Sequence, residues 1–251
     1  CNGMGALSYE PFTSHSETRK MEDLNEIATE ITVVLKDQVY TKSIDELYFK
    51  AGSSAGARPK VMVIHEGEHW LVKFPSSIDP ENIGQTEFVY SNKARKAGIE
   101  MPETKLFEKK YFGVKRFDRE GEKRIHMISA AGLLHADFRL PSLDYIELLK
   151  ATRALTRSEQ ETEKMFRLMV FNVMIGNKDD HARNFSFVYR KGDWKCSPAY
   201  DLLPSNGMNG EHCTAIGGSG RPEVHDLLRV AKQCSINEKH ANQIIAQVYE
   251  S

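Results

Sequence analysis

The period of the hydrophobic pattern changes part-way along this chain, and that change restricts the folds open to it. KVMVIHEGEHWLVKFP (60–75) alternates as two strands around the turn EGE, and ETKLFEKKYFGVKRFD (103–118) reads as a second hairpin. From residue 122 onward the spacing is helical: ISAAGLLHADF (128–138), SLDYIELLKATRAL (142–155), SEQETEKMFRLMVFNVMIG (158–176), EVHDLLRVAKQC (223–234) and NEKHANQIIAQVY (237–249). Only the hairpin NFSFVYR/DWKCSP (184–198) interrupts it. A sheet-rich half followed by a helical half predicts an α+β protein of two lobes with a cleft between them. The expected division is an N-lobe over 1–118 and a C-lobe over 119–251.

The first half also carries helical signals. MEDLNEIATEITVVLK (21–36) places Leu24, Ile27, Ile31, Val34 and Leu35 on one face, and SIDELYFKA (43–51) opens with a capping box, Ser43 and Glu46. ENIGQTEFVYSNKARKAGI (81–99) reads as a helix ending near Gly98, and GALSYEP (5–11) as a strand ending at Pro11. Between them GSSAGARPK (52–60) is a loop of small residues. Stripes such as Leu148, Leu149 and Leu155, or Phe166, Met169, Val170 and Val173, are expected core. Lys93, Arg95 and Lys96, and Lys109 and Lys110, are expected to solvate a helix face and a hairpin tip.

Composition excludes several classes. The 251 residues carry a net charge of -1, so no bulk positive field draws in nucleic acid. No apolar run approaches the length of a membrane-spanning helix. Cys1, Cys196, Cys213 and Cys234 form no CxxC pair, which leaves free thiols in a reducing, cytoplasmic setting as the expectation. His212 and Cys213 near His225 match no standard zinc spacing.

The polar run NKDDHARNFSF (177–187) lies between an apolar helix and a strand. Asp179 and Asn184 stand five residues apart, and Asp201 follows beyond a hairpin. A phosphoryl-transfer enzyme of the protein-kinase type needs such a set: one Asp to accept the proton of the attacking hydroxyl, then an Asn and a second Asp to hold Mg2+. The same chemistry needs a strand lysine for the phosphates, and Lys73 interrupts an apolar strand. Glu87, on the following helix, is placed to orient it. GSSAGA (52–57) can cradle phosphates through backbone N–H groups, although it is no GxGxxG. VKRFD (114–118) is the natural hinge for adenine. Each piece alone is common; their joint order along the chain is the signal.

GSSAGARPK, LVKFP, TEFVYSNKARKAG, VKRFDRE, IGNKDDHARNFSF and AYDLLP together resemble the HipA-like serine/threonine kinases, the toxin halves of bacterial toxin–antitoxin pairs. The likeness runs from about Gly3 to beyond residue 230. It implies a two-lobed protein-kinase-like fold with ATP and Mg2+ as cofactors. By residue, it implies Asp179 as catalytic base with His181 beside it, and Asn184 and Asp201 on the metal. Lys73 and Glu87 serve the phosphates, with the loop Ser53, Ser54, Ala55, Gly56 and Ala57, and the backbone of Lys115, Arg116 and Phe117 meets adenine. Ser53 matches the family's autophosphorylated loop serine. The implied partners are a protein substrate such as an aminoacyl-tRNA synthetase and a helix-turn-helix antitoxin, with DNA reached only through the antitoxin. Family members carry a further N-terminal subdomain, so Cys1 is expected to mark a cut, or the chain a shorter or split member.

Two departures stand out. Arg58-Pro59 replaces a common Gln-Glu, and Asp180 replaces a Gly after the catalytic Asp. The Asp180 carboxylate is expected to point to solvent. The competing readings are a kinase-shaped module that binds an antitoxin and assists repression, and a small-molecule kinase.

Overall fold

The computed structural model describes residues 4–7, 24–29, 58–137 and 142–251. The chain divides into two compact units. One comprises Cys1–Val89 with Pro102–His126, the other Tyr90–Met101 with Met127–Ser251. The division therefore falls at 126/127 where the sequence suggested 118/119, and residues 90–101 group with the second unit.

The first unit is built on a four-stranded antiparallel sheet in the order β1-β2-β4-β3. Its strands are β1 (Lys60–His65), β2 (Glu68–Lys73), β3 (Thr104–Phe107) and β4 (Tyr111–Lys115). Glu66 and Gly67 both take positive φ, 53° and 79°, which is the twist a two-residue hairpin loop requires. Alternation in β2 turns Trp70 and Val72 into a core with Val61, Val63, Phe107 and Tyr111, joined by Leu24 and Ile27 of a helical stretch over 24–29. The opposite phase leaves Lys73 half-buried at the strand's end. Gly84, near the start of α1 (Ile83–Lys96), lies against the Lys110 backbone, where a Cβ has no room. Two short strands follow the sheet, β5 (Arg119–Glu120) and β6 (Lys123–Arg124).

The second unit is mainly helical. After β7 (His126–Ser129) come α2 (Ala130–Leu134), β8 (Leu143–Asp144), α3 (Tyr145–Thr156) and α4 (Glu159–Ile175). Asp144 and Ser158 cap α3 and α4 through side-chain oxygens, and Gly176 ends α4 with φ +66°. The chain continues through β9 (Ser186–Arg190), β10 (Asp193–Cys196), β11 (Thr214–Ala215), α5 (Val224–Gln233) and α6 (Glu238–Tyr249). Leu148, Leu149, Phe166, Met169 and Val170 are fully buried, with Leu155 and Val173 packed at the edge of the same core.

Several expectations need revision. Residues 4–7 are bends and coil, with no strand. ISAAGLLHADF begins as the end of β7, and among its described residues only Ala130–Leu134 is helical, because Ser129 caps the helix from an extended backbone. Residues 8–11, 30–36 and the capping box at Ser43 lie outside the described residues. Lys93 and the hairpin-tip pair Lys109 and Lys110 are exposed, as their charge suggests.

Candidate active site

Two groups of polar residues stand out, one in each unit. In the second unit the group begins where Gly176 stops α4. Beyond it the backbone is not helical, so the neighbouring carboxylates of Asp179 and Asp180 face opposite environments. Asp179 is exposed; Asp180 has no solvent exposure at all.

Asp179 is held by its backbone. Its N–H donates to Ser205 Oγ at 2.7 Å, and its carbonyl accepts from Asn184 Nδ2 at 2.8 Å. Asn184 in turn donates its N–H to the carbonyl of half-buried His181 at 2.8 Å. Ala182 and Phe185 are buried, and their carbonyls take the N–H groups of Ala131 and Ala130. Apolar plugs thus fix a polar loop on both sides of Arg183 and Asn184.

Asp180 corrects the expectation of a solvent-facing carboxylate. It accepts from Tyr145 Oη at 3.0 Å, Thr214 N at 3.2 Å and His212 Nδ1 at 2.9 Å. A carboxylate denied water must find such partners, or its burial would cost several kcal/mol. Burial first and the Asp180 charge second push the Tyr145 hydroxyl well above its ordinary pKa, so it stays a donor. Having turned away, Asp180 neither joins Asp179 nor adds a metal ligand. The His212 ring that the sequence set near Cys213 and His225 is committed to this carboxylate.

The network extends to Asp201. Asn172 Nδ2 donates to Tyr145 Oη at 3.0 Å, and Asn177 Nδ2 donates both to Asn172 Oδ1 at 3.0 Å and to the Asp201 carbonyl at 3.2 Å. Ser205 N–H closes the frame on the Gly176 carbonyl at 3.0 Å. Asp201 itself is exposed and has φ +55°, a left-handed backbone that Asp tolerates better than most residues. One buried lattice therefore positions both the 179–184 loop and the Asp201 backbone. Cys213, adjacent to it, has its thiol pushed up to about 11 by burial and then by the charges of Asp179 and Asp180.

In the first unit Lys73 Nζ lies 2.9 Å from Glu87 Oε2. Arg58 Nη1 reaches the other carboxylate oxygen at 3.1 Å, while its Nε and Nη2 clamp Asp79 at 3.0 to 3.1 Å. Asp79 also accepts from Ser76 N and Oγ at 2.9 and 2.6 Å. Burial works to raise the Asp79 pKa, but the Arg58 and Ser76 hydrogen bonds outweigh it and hold the carboxyl at about 2. The N–H groups of Lys115 and Arg116 are engaged by the carbonyls of Glu103 and His69. Those two N–H groups are thus not adenine donors. The Arg116 side chain is buried on Asp118 at 2.8 and 2.9 Å. Ser53, Ser54, Ala55, Gly56 and Ala57 lie outside the described residues.

Among the described residues no three His, Cys, Asp or Glu side chains converge on one point as a closed metal cage. Mg2+ does not need one. It is content with one or two protein oxygens and completes its octahedron from water and phosphate. Asn184 and Asp201 offer that kind of donor set, an amide and a carboxylate, both hard oxygen ligands. Asn184 Nδ2 is used internally, which leaves its Oδ1 as the end suited to a cation.

The family profile described as HipA-like C-terminal domain matches residues 52–251. The chain belongs to that family. Among HipA-like relatives, the Sinorhizobium fredii protein named "Putative kinase Y4dM" is 26% identical over 197 residues, 69% of this chain and 48% of the relative. A Haemophilus influenzae protein named "Putative kinase" is 22% identical over 178 residues, 60% of this chain and 52% of the relative. The chain thus spans about half the length of these curated relatives. The Shewanella oneidensis HipA, solved as a complex of HipA, HipB and operator DNA, matches with a TM-score of 0.70 at 18% identity, over 98% of this chain and 66% of that one. The Helicobacter pylori kinase CtkA matches with a TM-score of 0.50 at 14% identity, over 76% of this chain and 87% of that one. The fold is α+β and kinase-like.

The sequence reading missed Arg58 and Asp79 as partners of the lysine–glutamate pair. It also missed Tyr145, Asn172, Asn177, His212 and Thr214 behind the loop. Arg58 was visible as an unusual charge at the exit of a small-residue loop. The others come from distant segments, and no local pattern joins them.

Proposed function

We propose that this HipA-like protein is an ATP- and Mg2+-dependent kinase that phosphorylates a serine or threonine of another protein. The bond from Asn184 Nδ2 to the Asp179 carbonyl carries the reading, because it ties a metal-type amide to an exposed carboxylate on one short loop. A polar turn has no need of a buried lattice behind it.

Asp179 accepts the proton of the attacking hydroxyl as the new oxygen–phosphorus bond forms and the bond to ADP breaks. Asn184 Oδ1 and the Asp201 carboxylate would hold Mg2+, which when bound would supply charge neutralisation for the phosphates. Lys73, oriented by Glu87, binds phosphate oxygens. Ser53 is the candidate for self-phosphorylation; a phosphate there adds roughly -1.5 to -2 charge and repels ATP. The substrate is a protein of translation such as an aminoacyl-tRNA synthetase. The partner is a helix-turn-helix antitoxin; the Shewanella HipA was solved with HipB and operator DNA. With a net charge of -1, contact with DNA goes through that partner.

The same complex favours one second reading, a module that binds an antitoxin without transferring phosphate. Release of ADP from ATP with Mg2+, compared among wild type, Asp179→Asn and Asp201→Asn, separates the two. The kinase reading expects turnover that falls by roughly 100-fold or more in either variant. Equal rates in all three would count against it, and ATP bound without turnover would favour the binding module.

A further inference from the structure

Arg58 directly follows the small-residue stretch 52–57 and stands two residues before β1 begins at Lys60. The backbone sets it beside the end of β2. Lys60 pairs with Lys73 across the sheet, and the Phe74 N–H donates to the Pro59 carbonyl at 2.9 Å.

From there the Arg58 guanidinium spans two carboxylates. Nε donates to both Asp79 oxygens at 3.1 and 3.0 Å, and Nη2 donates to Asp79 Oδ1 at 3.0 Å. Nη1 donates to Glu87 Oε1 at 3.1 Å. Asp79 is itself fixed, because Ser76 N and Oγ both donate to its Oδ2. A planar fork thus carries the geometry of the 76–79 turn onto Glu87 in α1. The last torsion of a glutamate is broad, so one contact with a lysine leaves the plane of the carboxylate open. With Oε1 on Arg58, Oε2 has a defined place, 2.9 Å from Lys73 Nζ. The Lys73 ammonium also lies 5.7 Å from the centroid of the Phe112 ring, so carboxylate and ring together set where the charge stands.

We propose that Arg58 is a positioning residue for phosphate binding, acting through Glu87 to place Lys73 without touching ATP itself. This inference deepens the kinase reading and rests on its assignment of Lys73 to the phosphates. The Lys73–Glu87 contact survives without Arg58; its placement does not. Arg58→Lys keeps the charge but loses the fork that reaches both carboxylates.

The test is isothermal titration of the full chain with ATP and Mg2+ and, separately, with adenosine. It reads binding and needs no turnover. Adenosine lacks the phosphates, so its affinity reports on the rest of the pocket and on the integrity of the fold. Arg58→Gln is expected to weaken ATP roughly tenfold, the low end for losing a partner that orients a binding group, and to leave adenosine unchanged. Arg58→Lys is expected to stay weak. In a Glu87→Gln background, Arg58→Gln is expected to cost nothing further, because its route to Lys73 is gone. ATP and adenosine weakened alike, full affinity in Arg58→Lys, or an undiminished loss in the Glu87→Gln background overturns the positioning role. Wild type that binds ATP, with Arg58→Gln binding it equally well, overturns this role alone. Wild type that binds no ATP overturns the kinase reading with it.

Discussion

Lys73 Nζ lies 2.9 Å from Glu87 Oε2, between side chains only 10% and 5% exposed, and Arg58 occupies the other oxygen of the same carboxylate at 3.1 Å. One glutamate therefore serves two cations. Replacing Glu87 with Gln removes the carboxylate that Lys73 and Arg58 share in a poorly solvated place, while Arg58 keeps its clamp on Asp79. A loss of about 3 kcal/mol in denaturant unfolding is expected, together with weaker nucleotide binding. Arg58→Gln should cost less, because Lys73 keeps Glu87; an equal cost would show that the pair depends on Arg58.

Asp79 makes stability in acid measurable at the same place. Its pKa falls from 3.8 to about 2 on folding. A depressed folded value means the stabilisation is present above the unfolded pKa of 3.8 and is lost as pH falls toward 2. Acid titration of wild type against Asp79→Asn should show a gap of the order of 1–2 kcal/mol above pH 4 that closes within this window. A gap that widens in acid would contradict the assignment.

Asp180 anchors the loop from behind. Asp180→Ala strands the Tyr145 hydroxyl and the His212 ring, and should cost about 3–5 kcal/mol. Asp180→Asn keeps an acceptor and should cost less. Both should lower turnover through misplacement of Asp179; under the proposed function ATP contacts Lys73 in the first unit, so ATP binding should change less than the rate.

Cys213 reports on the charge of the loop. With a pKa near 11 its thiol is protonated at neutral pH, and iodoacetamide should label it roughly 100-fold more slowly than an ordinary cysteine at pH 8. Asp179→Asn removes one of the charges that raise it, so labelling at Cys213, read by peptide mass, should quicken. No change would place the Asp179 carboxylate farther from Cys213 than the structure does.

The parts legible in the sequence were those with a period or a fixed offset. Alternation in KVMVIH and EHWLVK and helical spacing in SEQETEKMFRLMVFNVMIG have local causes, so one segment sufficed to read them. Where two local signals met, the reading slipped: ISAAGLLHADF contains both a strand end and a short helix. Asp180 was misjudged for a different reason. Its partners Tyr145, His212 and Thr214 lie 35, 32 and 34 residues away, so nothing beside it told of its burial. The candidate site residues were likewise named from order along the chain, and what holds them had to come from the fold.

The central claim is that Asp179 serves phosphoryl transfer. The most direct test incubates the chain with ATP labelled at the γ-phosphate and Mg2+, in wild type and Asp179→Ala, and maps incorporated phosphate by mass. The account predicts covalent phosphate on a serine or threonine, Ser53 foremost, in wild type, and its loss in the variant. Incorporation that persists undiminished in Asp179→Ala, or a wild-type chain that neither binds ATP nor takes up label, would contradict it.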